Sequence, residues 1–113
     1  MTVMTVYGNQ LDDKALANYF AKLVNLIFKI LPMRESEEES LDVYMESLLC
    51  ELTGFQELFP AVGYDAGMLS IMTIIQFLRD TPDCAVSVVR REVFHAISIC
   101  NQLKDRYAGN AEV

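Results

Sequence analysis

A chain of 113 residues, 52% hydrophobic and 22% charged, is long enough for one domain with its own core and too apolar for disorder. Its net charge of −7 and pI near 4.5 weigh against direct contact with nucleic acid or an anionic membrane surface, since both would repel it. Five glycines and three prolines leave little for a turn-rich β protein. Three widely spaced cysteines, Cys50, Cys84 and Cys100, speak against a disulfide scaffold and for a reducing, cytoplasmic setting.

The opening "MTVMTVYGNQ" lacks the basic and apolar regions of a signal peptide, and no run of about 18 apolar residues marks a membrane span. Residues 1–9 carry no helical period and are expected to fray, as are residues 108–113. From about Asp12, Leu16, Phe20, Leu23, Ile27, Ile30 and Leu31 fall at the three-four spacing of an amphipathic helix. Lys14, Asn18, Lys22, Asn25 and Lys29 form its polar stripe. Pro32, which cannot donate a backbone hydrogen bond, is expected to end it.

The next stretch, "RESEEES" at 34–40, matches a capping box: Ser36 followed by Glu39, with glutamates facing the positive end of a helix dipole. It predicts a second helix that starts there and buries Leu41, Tyr44, Leu48, Leu52 and Phe55. Gly54 should weaken or end this helix, and Pro60 closes the segment. A third helix follows, capped by Asp65, with Met68, Ile71, Met72, Ile75 and Leu78 inward and no charge between Asp65 and Arg79. The fourth begins at Thr81–Pro82 or at Ser87. It carries the cleanest stripe: Val86, Val89, Val93, Ala96, Ile97, Cys100, Leu103 and Tyr107. Four such helices with short connections predict an all-α fold, a four-helix up-down antiparallel bundle in a single domain over 1–113.

The charge is unevenly placed. Residues 33–59 hold eight acids and one base, Arg34, while the rest of the chain has eight of each. On a helical wheel Glu35, Glu39, Asp42 and Glu46 share one narrow stripe, away from the Leu48 and Leu52 side. That stripe is either a solvated outer face or a docking line for a basic protein surface. It matches no calcium-loop motif. Large side chains also fall off the core stripes: Leu69 and Phe77 on the third helix, Phe94 and Ile99 on the fourth, and Phe28 on the first. Either the helices cross steeply and bury them, or they form apolar contact surfaces for copies of the chain or a partner.

Motifs for chemistry are sparse. Glu92 and His95 form one Glu-x-x-His pair, where di-iron bundles use two pairs and two further glutamates, so a metal site would need a dimer. There is no Cys-x-x-Cys, no Gly-rich phosphate loop and no nucleophile elbow. The expectation is a small non-enzymatic protein–protein interaction module that self-associates, needs no cofactor, and binds through Leu69, Phe77, Phe94 and Ile99. The acidic stripe would orient its partners. The alternatives are a phage-type inhibitor whose carboxylates imitate nucleic-acid phosphates to block a basic groove, and a dimeric metal-binding bundle using Glu92 and His95.

Overall fold

The computed structural model describes residues 2–4 and 10–108 of the chain. Two short strands, β1 (Thr2–Met4) and β2 (Gln10–Asp12), pair antiparallel ahead of the helices. The fraying expected over 1–9 is therefore not what residues 2–4 do; residues 1, 5–9 and 109–113 lie outside the described residues. The fold is all-α. Its helices are α1 (Asp13–Phe28), α2 (Ile30–Glu35), α3 (Leu41–Leu58), α4 (Pro60–Gly63), α5 (Ala66–Asp80) and α6 (Val86–Ala108). Among the described residues there are thus six helical segments where four were expected.

Both extra segments trace to proline. Pro32 does not end the first helix. Its missing N–H removes only the bond that would reach the Phe28 carbonyl: Lys29, between α1 and α2, keeps a helical conformation (φ −59°, ψ −22°), its N–H donates to the Asn25 carbonyl and its carbonyl accepts from Met33 N, so α2 continues the same path with Pro32 inside its first turn. Pro60 does not merely close a segment: it is the first residue of α4, where a proline loses no helical bond. Gly54 neither ends nor bends α3, which runs four residues past it.

The α1 stripe is buried as expected, from Leu16 through Leu31. On α3, Leu48, Leu52 and Phe55 are buried, Leu41 and Tyr44 are half-buried, and Met45 and Gln56 join the core unexpectedly. Gln56 is satisfied there because its Nε2 donates to the Gly63 carbonyl at 2.9 Å. The two backbones approach so closely that a Cβ on Gly63 would lie 2.4 Å from the Gln56 Cα, so only glycine fits. Ile74 is buried beside Met68, Ile71, Ile75 and Leu78, while Met72 is half-buried. On α6, Val89, Val93, Ala96, Cys100 and Leu103 meet the core.

Taken together α1 and α2 are long and apolar enough to cross a membrane by length and composition, contrary to the sequence reading. Here their apolar stripe is used by the core.

Pairwise contacts give the chain direction of neighbouring helices. Cys100 Sγ donates to the Phe20 carbonyl and the Phe94 ring meets Phe28, so α6 runs against α1. Tyr19 stacks on Phe55 with centroids 4.2 Å apart, Lys22 pairs with Glu51, and Tyr44 Oη donates to the Leu26 carbonyl, so α3 also runs against α1. α5 opposes α3 through Arg79 and opposes α6 through Asp65.

Asp65 is the tightest polar joint. Its carboxylate caps α5 by accepting from Gly67 N at 2.8 Å, and it also accepts from Tyr107 Oη at 2.6 Å and from Arg106 Nη1 at 2.7 Å. Burial alone would raise its pKa, but the hydrogen bonds from Tyr107, Gly67 and Arg106 together hold it below the ordinary 3.8. The folded state therefore binds this proton less readily than the unfolded chain. Its contribution to stability is full above the ordinary carboxylate value and is lost as pH falls through the lower folded value. Asp65→Ala is expected to cost about 2 kcal/mol at neutral pH, and urea titrations should show the gap to wild type narrowing below about pH 4.

Candidate functional site

"SEEE" turns out to be a helix stop rather than a helix start. Ser36 is the C-cap of α2, and its hydroxyl donates to the Pro32 carbonyl at 2.7 Å. The next two amides fold back: Glu38 N donates to the Met33 carbonyl at 2.9 Å and Glu37 N to the Arg34 carbonyl at 3.2 Å. This is the Schellman pattern, whose C′ residue must be left-handed. Glu37 occupies that position with φ 54°, where glycine is the usual residue. α3 starts only at Leu41, and Ser40 before it makes no side-chain cap bond. The expected capping box is overturned because these residues are used to close the preceding helix.

The tight turn leaves a cleft of about 360 Å³ at this pole. It lies between α2, the start of α3, the end of α5 and the loop that leads to α6. Ile30, Met45, Leu78 and Val89 form its floor, and half-buried Met33 and Leu41 its walls. Around the rim stand Glu37, Glu38, Glu39, Asp42 and Asp83, against Arg34 and Arg79. Arg34 Nη2 donates to the Cys84 carbonyl at 2.7 Å and so pins α2 to the α5–α6 loop. Arg79 Nε donates to Asp42 Oδ1 at 2.9 Å, and its Nη2 donates to Glu46 Oε2.

The predicted acidic stripe is therefore distributed over three elements. Glu35 ends α2 and pairs with Arg90 of α6 at 3.4 Å; Glu39 stands in the turn on the rim; Asp42 and Glu46 of α3 share Arg79. The predicted apolar interface is likewise divided. Leu69 and Phe77 are exposed on α5. Phe94 is 48% exposed and meets Phe28, itself 43% exposed, with ring centroids 6.1 Å apart. Ile99 is half-buried and turns toward α5: its Cγ2 would lie 3.2 Å from a Cβ on Gly67, so it is not on the polar flank.

His95 is exposed, and Glu92 takes a hydrogen bond from its neighbour Arg91 at 3.2 Å. Among the described residues no three His, Cys, Asp or Glu side chains converge as a metal site would require. Burial pushes the Cys100 thiol up to about 12, which keeps it protonated and unreactive at neutral pH.

Sequence reasoning missed the cleft because its parts are scattered from Ile30 to Val89. One signal was available: Arg79 is the first charge after the uncharged run 66–78, at the end of a helix facing the acid-rich segment. Comparison with known proteins finds no family model, curated protein or solved structure that matches this chain.

The turn's chemistry is testable. Glu37→Gly should raise stability by up to about 1 kcal/mol by relieving the left-handed conformation. Ser36→Ala, at an exposed site that caps no helix start, should change it by less than about 0.5 kcal/mol. Thermal melts of the two variants distinguish this geometry from a capping box, in which Ser36→Ala would be the damaging one.

Proposed function

We propose that this protein is a small non-enzymatic interaction module whose cleft receives a basic amphipathic segment of a partner protein. The observation that carries the reading is an apolar floor inside an acid-dominated rim. A leucine or phenylalanine could fill the floor while flanking basic residues meet Glu37, Glu38 and Glu39. The net charge of −7 would speed the encounter with such a partner. We read the four long helices as an up-down antiparallel bundle, a reading supported by the opposed senses of neighbouring helices. The free thiols of Cys50, Cys84 and Cys100 suit a reducing cytoplasmic setting. Imitation of nucleic-acid phosphates is less well supported, since Glu35, Asp42 and Glu46 are already engaged with the protein's own arginines.

The test uses a synthetic leucine–arginine peptide that is amphipathic as a helix, and a scrambled peptide of the same composition. In titrations followed by amide NMR, the amphipathic peptide should shift Met33, Leu41, Asp42 and Met45 and bind more tightly than the scrambled one. Equal binding of both would reduce the interaction to charge alone and overturn the reading.

Self-association is the second reading, favoured by the Phe28–Phe94 contact, which leaves two large rings exposed side by side. Light scattering should then give a mass above the 12.8 kDa of one chain, falling to it in Phe94→Lys. A wild-type monomer at high concentration would dismiss it.

A further inference from the structure

The cleft already holds a cation, and it is the protein's own. α5 carries no charged residue from Ala66 to Leu78, and then places Arg79 against two α3 carboxylates, Asp42 on the cleft rim and Glu46 one turn further along α3. The guanidinium grips Asp42 with two nitrogens, Nε to Oδ1 at 2.9 Å and Nη2 to Oδ2 at 3.5 Å, and the same Nη2 donates to Glu46 Oε2. This forked geometry is one that an arginine provides and a lysine does not. Arg79 also lines the cleft, so it lies where a docked segment would lie.

Resting on the proposed function, we propose that Arg79 is a built-in competitor, a tethered stand-in for an arginine of the partner, which displaces it on binding. Three features make the exchange workable. The carboxylates are well exposed, with side-chain exposures of 62% for Asp42 and 56% for Glu46, so their bonds to Arg79 are strongly screened. The same carboxylates covered by a docked helix would be shielded from water, where charge-assisted bidentate bonds are stronger. Asp83 stands on the same rim and offers a carboxylate to the displaced Arg79 side chain.

The occupant also sets a threshold for selectivity. A segment that brings only apolar groups leaves Arg79 in place and gains the floor alone. A lysine brings a point charge and cannot reproduce the planar two-nitrogen grip on Asp42. An arginine positioned beside an apolar anchor reproduces that grip. The segment selected is therefore arginine-bearing and apolar, not basic in general.

Binding of the amphipathic leucine–arginine peptide to wild type, Arg79→Met and Arg79→Lys, by calorimetry, tests this directly. Methionine keeps the apolar stem and removes the competitor, and should tighten binding about tenfold, equivalent to ~1.4 kcal/mol. Lysine keeps the charge without the fork and should fall between. In wild type, the Arg79 Nε–H resonance should move as peptide is added. Helical circular dichroism of each variant confirms folding, and if Arg79→Met is unfolded, the lysine variant and the wild-type resonance decide. Unchanged or weaker binding in the folded variants, or a motionless Arg79 signal, would overturn the competitor while leaving the cleft reading intact. Failure of wild type and variants alike to bind the peptide would overturn both.

Discussion

A single absent amide proton shapes the pole that carries the cleft. Pro32 cannot bond back to Phe28, so the helical path that begins at Asp13 lacks one rung of its ladder beside Lys29 before it continues as α2. The short α2 that follows is closed at once by the fold-back of Glu37 and Glu38. Met33 and Arg34 are thereby left facing the ends of α3 and α5, with Arg34 tied to the Cys84 carbonyl.

Much of the frame was legible because burial follows period. Six apolar residues of the first helix were read correctly from spacing alone, and the Asp65 cap from a single residue before an uncharged run. The failures cluster where two local signals compete. Ser36 and Glu39 have the spacing of a helix start, but the amides of Glu37 and Glu38 bond back to Arg34 and Met33, so the same residues complete a helix stop. Wheel projections then failed in consequence: Glu35, Glu39, Asp42 and Glu46 align only on a continuous helix, and the break between α2 and α3 separates them. Ile99 was misplaced for a different reason. Gly67 lets α5 approach α6 closely enough to cover it, which no single-helix projection can foresee.

The two poles use charge in opposite ways. At Asp65 a nearly buried carboxylate, with 10% side-chain exposure, is satisfied by three donors and joins the α5 start to the α6 end. At the other pole the carboxylates outnumber the arginines and remain open to water. The first arrangement favours rigidity, since every lone pair that leaves water finds a fixed donor. The second leaves its carboxylates in contact with water, and it coincides with a glutamate held in a conformation that glycine would adopt more easily.

The contact between α1 and α6 has a consequence for how the chain reaches this state. Phe20 and Cys100, joined by a hydrogen bond, are 80 residues apart in sequence, and α6 is the partner against which α1 packs most extensively. The α5–α6 pair, by contrast, is joined by a loop of five residues, 81 to 85. Helical hairpins of that kind close quickly, whereas a contact between distant segments requires most of the chain to be collapsed first. The α5–α6 pairing is therefore a local contact, while the α1–α6 pairing is among the most distant in the chain. The burial of Leu16, Phe20, Leu23 and Ile27 thus depends on segments far along the chain, α3 on one side and α6 on the other.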